Sequence, residues 1–197
     1  YPRNVSTNLL IYSTAPSSTA FDHAVVDSEY DYATIGTPVQ MTAAGVSPSG
    51  SAVDIPEGAT WVVANENLAS ITEDGVFVGK TLGEVNVYLM LDGNNIGTKR
   101  MPVANPDQLY FEKNKVDAIY GSSVKLPLRA RIEGKQIGIN PNDVTFTLSA
   151  LNAGSIDGFN FLAVESTVKT LTITANIGEN IHASINVMLY KQGENSF

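Results

Sequence analysis

The sequence predicts an all-β fold made of two antiparallel β-sandwiches in tandem. Three observations support this prediction: short runs rich in β-branched residues, turn signals between those runs, and an internal repeat. The chain has 197 residues, of which 43% are hydrophobic and only 16% are charged, a composition that suits one large or two small packed domains. We find no window with a persuasive 3.6-residue apolar period, so helices are not expected.

The first half of the chain contains short alternating or β-branched runs at a spacing of roughly 8 to 12 residues, as an antiparallel sandwich produces. Polar turns separate the runs. One of them, Asp92-Gly93-Asn94-Asn95, predicts a hairpin turn because these residue types tolerate positive φ. The predicted strands are residues 8–13, 23–26, 39–43, 59–63, 69–72, 76–78 and 84–91.

The second half repeats this organisation. Thr170-Leu171-Thr172-Ile173-Thr174 alternates strictly, so we expect Leu171 and Ile173 to face a core and the threonines to face water. The predicted strands are residues 109–112, 124–132, 144–149, 155–156, 159–163, 169–177 and 182–190.

The two halves match each other at an offset of 85 residues, which slips by one after about Val78. Trp61 aligns with Phe146, and this aromatic match predicts the large inward side chains around which each pair of sheets packs. Several matches at one offset indicate a tandem duplication. The matched pairs are Gly36 with Gly121, Val39 with Val124, Pro56 with Pro141, Thr60 with Thr145, Asn67 with Asn152, Ser70 with Ser155 and Ile71 with Ile156.

The boundary between the halves is predicted in Met101-Pro102-Val103-Ala104-Asn105-Pro106. Two prolines within five residues are typical of a short, stiff, extended linker. The predicted domains are residues 20–104 and residues 105–197, with residues 1–19 as a segment from a preceding domain. Gly36 and Gly121 are each expected in a turn before a strand, where positive φ is often needed.

The first repeat contains four sequence landmarks in order, namely Thr60-Trp61, Leu68-Ala69-Ser70-Ile71, Gly75-Val76-Phe77 and Gly83-Glu84-Val85-Asn86-Val87. With these landmarks it resembles the bacterial Ig-like group 2 family of invasin- and intimin-type adhesins and Gram-positive surface proteins. The resemblance covers residues 20–104 and implies an Ig-like fold. The second repeat, with Phe146 in place of the tryptophan and Gly154 in place of Ala69, resembles a diverged Ig-like domain.

The N-terminal segment contains the run Arg3-Asn4-Val5-Ser6-Thr7-Asn8-Leu9-Leu10-Ile11-Tyr12. This run resembles the closing strand of a bacterial phosphodiester glycosidase domain, and the resemblance implies a catalytic domain upstream of the sequence. Because the sequence opens at Tyr1 with residues typical of the middle of a protein, we expect it to be a segment of a longer exported protein.

Charge and cysteine content restrict the partners. The net charge is −8, and without a basic stripe a nucleic-acid partner is disfavoured. No apolar run approaches the roughly 20 residues of a membrane span. The lack of cysteine excludes disulfides and thiolate metal sites, and it favours a bacterial origin for an Ig-like fold. We expect a monomer whose partners are neighbouring domains of the same polypeptide, with cell-wall or other glycans as candidates.

No residue is predicted to be catalytic, cofactor-binding or metal-binding. His23 and His182 occupy different places in the two repeats and form no metal-ligand pattern, so surface positions are expected. A strained nucleophile turn such as Gly-x-Ser-x-Gly is absent, which argues against Ser-His-Asp chemistry.

Two polar clusters and one aromatic set have alternative interpretations. An acidic cluster could supply oxygen ligands to Ca²⁺, but it lacks the spacing of a known calcium loop, so a solvated loop is preferred. A second cluster is interpreted as hairpin chemistry rather than a cation site. Four aromatic residues could form a sugar-stacking face, but core and cross-strand packing is preferred. The acidic cluster is Asp22, Asp27, Glu29 and Asp31; the second is Asp92, Asn94 and Asn95; the aromatic residues are Tyr110, Tyr120, Phe159 and Phe161.

These observations favour a non-enzymatic module of a bacterial protein that is extracellular or associated with the cell wall. In the leading hypothesis the module is a spacer that presents another domain or takes part in adhesion. One alternative is an accessory region of an exopolysaccharide-processing or phosphodiester glycosidase enzyme. The other is an adhesin fragment that itself binds a glycan or a host protein.

Overall fold

The computed structural model describes residues 20–193, and it confirms the all-β fold as two Ig-like β-sandwiches. The helical segments in this part of the chain are two three-residue 3-10 turns, Pro141–Asp143 and Leu151–Ala153. No helix within residues 20–193 is therefore long enough to cross a bilayer. The predicted strand at residues 8–13, and the glycosidase-like segment around it, lie outside the described residues.

The first sandwich contains eight strands, and six of them overlap strands predicted from the sequence. The sequence does not predict strands β3 and β8. The strands are β1 (His23–Ser28), β2 (Pro38–Val46), β3 (Ala52–Val53), β4 (Thr60–Val63), β5 (Ala69–Ile71), β6 (Val76–Gly79), β7 (Gly83–Leu91) and β8 (Asn94–Val103).

Two sheets enclose the first core. One has the order β1-β2-β6-β5 with β3 paired to β2, and the other has the order β4-β7-β8. Phe77 is fully buried between them, together with Met41 and Met101. Trp61 packs against this core, as expected, but it lies on the edge strand β4 and is only partly buried, so Phe77 rather than Trp61 is the central aromatic side chain.

The second sandwich contains ten strands. Each of the seven predicted strands is present in it, but the run at residues 124–132 is broken at Pro127 into β11 and β12, and the sequence does not predict β10 and β13. The strands are β9 (Gln108–Phe111), β10 (Lys115–Ile119), β11 (Ser123–Lys125), β12 (Leu128–Ile132), β13 (Lys135–Ile137), β14 (Thr145–Leu148), β15 (Gly154–Asp157), β16 (Asn160–Ala163), β17 (Thr170–Ile177) and β18 (Ile181–Tyr190).

Three sheets make up the second sandwich, in the orders β10-β18-β17-β14, β11-β16-β15 and β13-β12-β9. The pair β10 and β18 is parallel, whereas the other strand pairs described in this sandwich are antiparallel. Leu171 and Ile173 are buried, as their alternation predicts. Phe161 on β16 is fully buried and takes the position that Phe77 has on β6.

Matched backbone hydrogen bonds recur in the two sandwiches. The amide of Gly36 donates to the carbonyl of Gly79 over 2.9 Å, and the amide of Gly121 donates to the carbonyl of Ala163 over 2.8 Å. Both of these turn glycines have positive φ, 82° and 79°, as predicted for the turns before β2 and β11.

The predicted linker is shorter than expected. Met101, Pro102 and Val103 belong to β8, and the side chains of Met101 and Val103 are buried in the first core. Only residues 104–107 separate β8 from β9.

Candidate functional site

The two sandwiches meet through polar side chains at the end of the first one. Ala33 pairs in parallel with Val103, and the amide of Ala33 donates to the carbonyl of Pro102 over 2.9 Å. This pairing extends the backbone on either side of Ala33. Because alternate residues of extended backbone share a face, Tyr32 and Thr34 both present their side chains to the second sandwich.

The second sandwich presents the 3-10 turn Pro141–Asp143 to this surface. Asn140 caps the turn, since its side-chain oxygen accepts a hydrogen bond from the amide of Asn142 over 3.0 Å. The side-chain nitrogen of Asn140 lies 3.3 Å from the carbonyl oxygen of Pro38, to which it donates. One asparagine thus orders the turn and also joins it to the first sandwich.

Asp143 is the centre of the contact. The Tyr32 hydroxyl donates to Asp143 Oδ2 over 3.0 Å, and the Thr34 hydroxyl donates to Asp143 Oδ1 over 2.5 Å. The amide of Asn140 donates to the Tyr32 hydroxyl oxygen over 3.4 Å. We call Tyr32, Thr34, Asn140 and Asp143 the joint network. Tyr32 is 1% exposed and Asn140 is 2% exposed, whereas Asp143 is half-buried and reaches the surface.

Burial determines the ionisation of the phenol. The removal of Tyr32 from water raises its pKa well above the ordinary tyrosine value, and the nearby Asp143 carboxylate raises that pKa further. Tyr32 therefore remains a protonated donor far into the alkaline range. Within residues 20–193, no fully buried side-chain nitrogen or oxygen lacks a hydrogen-bond partner.

A cleft of about 650 Å³ opens beside the joint network. Its polar wall includes Asn105, Asn142 and Glu179, and Ile177 and Ile181 supply the apolar part. The hydroxyl donors and carboxylate acceptors of the joint network already bond to one another. These directional hydrogen bonds can fix the orientation of one sandwich relative to the other.

No protein-family model matches the chain. No characterised protein sequence matches it either. Solved structures with a similar arrangement of strands include a long fragment of the S-layer protein SbsC, with 14% identity, a TM-score of 0.33 and coverage of 89% of this chain and 28% of that one. Invasin, a bacterial integrin-binding protein, is 9% identical with a TM-score of 0.31, over 84% of this chain and 38% of that one.

FdeC, an Escherichia coli adhesin, is 14% identical with a TM-score of 0.33, over 92% of this chain and 67% of that one. The chain therefore spans less than a third of the SbsC fragment and about two thirds of the FdeC structure. At these values the similarity assigns no role to any residue.

The two histidines lie far apart in the sequence and on different sandwiches. His23 is exposed at the start of β1, where its Nδ1 lies 2.8 Å from Asp22 Oδ2. His182 is exposed on β18 and pairs with Asn176 across the ladder. Among residues 20–193, no three His, Asp or Glu side chains are placed to hold a metal ion.

Two members of the acidic cluster contact a lysine. Lys99 Nζ lies 2.7 Å from Asp27 Oδ1 and 3.6 Å from Asp31 Oδ1. The hydrogen bond from Lys99, followed by that from the Ser28 amide, lowers the pKa of Asp27, and the Asp27 hydrogen bond raises the pKa of Lys99. The amine therefore occupies the position between these carboxylates. Glu29 is exposed beside them, and its amide donates to the carbonyl of Gln40.

The second polar cluster forms the β7–β8 hairpin turn. Asp92 and Gly93 have φ of 50° and 79°, the two positive values that a primed hairpin turn requires. The Asn95 side chain accepts from the Gly97 amide and donates to the Thr98 hydroxyl. The interpretation as hairpin chemistry is confirmed.

The structure separates the four aromatic residues. Phe161 is fully buried, and Phe159 packs edge-on against Phe146 with ring centroids 6.3 Å apart. The Tyr120 hydroxyl donates to the carbonyl of Val168 over 2.8 Å. Tyr110 lies under the Arg131 guanidinium at 4.8 Å. They form core and local pairs rather than a common face.

The joint network is not predicted from the sequence. Tyr32 and Asp143 are 111 positions apart, so no local pattern joins them. One signal was present: Asn140-Pro141-Asn142-Asp143 has a cap residue before proline, whereas the first repeat has Ile55-Pro56-Glu57-Gly58 at the same place. This polar cap is present in only one of the two copies, and its side chain contacts the first sandwich.

Proposed function

We propose that this chain is a non-catalytic module that holds two Ig-like sandwiches in a fixed relative orientation, within a bacterial cell-surface or secreted multidomain protein. Its role is to act as a spacer that presents a neighbouring domain. The single observation that carries the proposal is the joint network, in which two hydroxyls of the first sandwich bind one carboxylate of the second.

The chemistry of this contact suits a rigid joint. Hydrogen bonds are directional, and a buried polar network is costly to break because each separated group would be left without a partner. Both oxygens of Asp143 are engaged, so rotation of one sandwich against the other would break two charge-assisted hydrogen bonds. The four residues between β8 and β9 leave little slack for such a movement.

We also propose a domain boundary between residues 104 and 105, and an origin of the two domains by duplication. The strand pairs described by the structure all lie within residues 23–103 or within residues 108–190. The recurring hydrogen bonds of Gly36 and Gly121 support the duplication, because an offset of 84 to 85 residues relates both donor and acceptor.

The fixed orientation can be tested by distance measurement between spin labels. The chain contains no cysteine, so Thr42→Cys and Thr170→Cys, both at exposed positions, place one label on each sandwich. We expect a single narrow distance distribution in the parent protein. Asp143→Ala should broaden it, because the hydroxyls of Tyr32 and Thr34 lose their acceptor.

Asp157→Ala is the matched control, since it removes an exposed aspartate from the same sandwich away from the joint. Circular dichroism verifies that both variants remain folded. A distribution that is already broad in the parent protein, or one that Asp143→Ala leaves unchanged, contradicts the proposed rigid joint.

Direct glycan contact is a second candidate function, and the cleft beside the joint favours it. Short amide side chains such as Asn105 and Asn142 can hydrogen-bond sugar hydroxyls. Glycan arrays distinguish the two functions. A pure spacer gives no saturable binding, whereas saturable binding that Asn142→Ala weakens would favour an adhesive role over a spacer.

A further inference from the structure

The strand β14 is the edge of the sheet β10-β18-β17-β14. Its register with β17 continues to Ser149, whose amide donates to the carbonyl of Thr172 over 2.9 Å. Since hydrogen-bonded residues alternate along an antiparallel ladder, Thr145 and Thr147 also direct their backbone groups to β17. The N–H and C=O groups of Phe146 and Leu148 therefore face the open edge.

This edge lacks two of the protections that edge strands usually have, charge and proline. Charged side chains and prolines on an edge strand discourage pairing with another chain. Residues 144–149 contain neither, whereas Lys115 and Asp117 lie on the edge strand β10, and Asp157 lies on the edge strand β15.

Two other edge strands of four residues within residues 20–193 lack charge, namely β4 and β9. Carboxylates flank β9 at both ends, because Asp107 precedes it and Glu112 follows it. The strand β4 is the equivalent of β14 in the first sandwich, and it has no charged neighbour. The edge strand β5 is also uncharged but has only three residues, so the comparison among the longer uncharged edges is between β4 and β14.

A groove of about 430 Å³ lies along β14. Phe146, Leu148 and Ile156 are among the apolar residues that line it. Beside β4, in contrast, the larger indole of Trp61 lies against Gly75. The second sandwich thus has room beside its open edge for the side chains of an added strand.

We propose that β14 pairs antiparallel with β14 of a second copy of this chain. The open backbone groups determine the register: Phe146 of each copy faces Leu148 of the other, so that the outward N–H and C=O groups bond to one another. The same register places Thr147 directly opposite Thr147 of the second copy. Aromatic–aliphatic and threonine–threonine pairs are favourable cross-strand neighbours, which makes this short strand complementary to itself.

Two properties of this dimer follow from its size and from charge. An interface based on one four-residue strand is small, so the dimer is weak. Each copy has a net charge of −8, so added salt should strengthen the association by screening the repulsion between copies. This proposal departs from the expectation of a monomer, and it does not depend on the spacer function.

Sedimentation equilibrium of the whole chain tests the proposal. We expect the average mass to rise toward twice that of the monomer as the concentration approaches about 1 mM, the range appropriate to a small interface. Thr147→Lys and Thr147→Glu should each abolish this rise, because they place like charges opposite one another at the two-fold axis. A mixture of the two variants should restore it, since opposite charges then face each other.

Two variants control for general effects of charge. Thr170→Lys places the same charge at an exposed position of β17 and should leave the association intact, as should Val62→Lys on the equivalent edge of the first sandwich. A wild-type chain that stays monomeric throughout overturns the proposal. Loss of association in Val62→Lys but not in Thr147→Lys also overturns it, because the contact would then lie at β4.

Discussion

The indole of Trp61 lies directly over Gly75, where a Cβ atom would be only 2.9 Å from the indole Nε1. In the second sandwich the equivalent positions hold Phe146 and Phe159, whose rings meet at 76°. In the first sandwich a large ring thus lies against a residue without a side chain. In the second sandwich two medium-sized rings occupy the equivalent positions.

Gly75→Ala should destabilise the first sandwich by about 2–4 kcal/mol. Gly75 has a φ of 79°, and the new methyl group would also meet the indole and the carbonyl oxygen of Met41. Trp61 is the single tryptophan of the chain, so its fluorescence during urea unfolding reports on this sandwich alone.

Gly93→Ala separates the two causes. Gly93 has the same φ of 79°, but no neighbouring atom lies within 4 Å of the position that an added methyl group would take. Gly93→Ala should therefore lower the free energy of unfolding only through backbone strain, by about 1 kcal/mol. If both variants lose the same free energy of unfolding, the contact between the added methyl group and Trp61 does not contribute to the loss.

Gly154→Ala should destabilise the second sandwich by about 2–3 kcal/mol for steric reasons only. The backbone at Gly154 is extended, with a φ of 166°, so no strain is expected there. The added methyl group would meet the Phe161 ring at 2.5 Å and would also clash with the carbonyl oxygen of Leu162. Thermal melting by circular dichroism measures the loss. Gly138→Ala, which has open space around it, should have little effect, and a large effect there would contradict this explanation.

Tyr32→Phe should change the response of stability to alkaline pH. Burial raises the pKa of Tyr32 in the folded chain, whereas the unfolded phenol titrates at about 10. Above that pH the unfolded state binds fewer protons than the folded state, so stability falls as pH rises, by up to about 1.4 kcal/mol per pH unit. The phenylalanine variant should lose this part of the slope, which urea titrations at several alkaline pH values can measure.

The same variant should lose about 1–2 kcal/mol at neutral pH, because Asp143 loses one donor. Tyr110→Phe is the control, since its hydroxyl bonds to the Gln136 side chain near the surface. An alkaline slope that is identical in the wild type and in Tyr32→Phe would refute the assignment of the raised pKa to Tyr32.

Lys99→Met should raise the pKa of Asp27. The hydrogen bond from Lys99 is the main cause of its low value, and the Ser28 amide, which remains in the variant, is the next. A lowered carboxyl pKa stabilises the fold above the unfolded value, and this contribution disappears as pH falls, so the variant should be less sensitive to acid. Carboxyl carbon NMR titration gives the pKa of Asp27 directly, and Lys99→Arg should preserve the low pKa.

The same NMR signal tests the acidic cluster as a cation site. If Ca²⁺ shifts the Asp27 signal in the wild type, the cluster binds cations.

Periodicity predicts the parts of the fold where one face of a strand meets a core. Leu171 and Ile173 illustrate this, because their alternation with threonine translates directly into buried and solvent-facing positions. Pro102 belongs to β8 rather than to the predicted linker, because a proline can also lie in an edge strand. Its carbonyl accepts from Ala33 at the outer side of β8, so its nitrogen also faces away from β7 and no ladder bond is lost.

Tertiary position explains the remaining errors. The sequence favours Trp61 at the centre because large aromatic residues often fill cores, but its strand is an edge strand, and Phe77 on an interior strand occupies the centre instead. Apart from the cap residue before Pro141, nothing in the sequence indicates the joint network, because Tyr32, Thr34 and Asp143 are ordinary residues in their own repeats. Only the docking of one sandwich on the other brings Thr34 to Asp143.

The parallel pairing of β10 with β18 has a mechanical consequence. Tension applied to the two ends of the second sandwich loads the ladder from Lys115 to Ile119 along the strands, so its bonds must break together rather than one after another. Within residues 20–193, the first sandwich has at the same place a single parallel bridge, that of Ala33 with Val103, besides the bridge of Ile35 with Gly79. In single-molecule stretching we expect two rupture forces, the lower from the first sandwich, so that under load the chain lengthens in two steps.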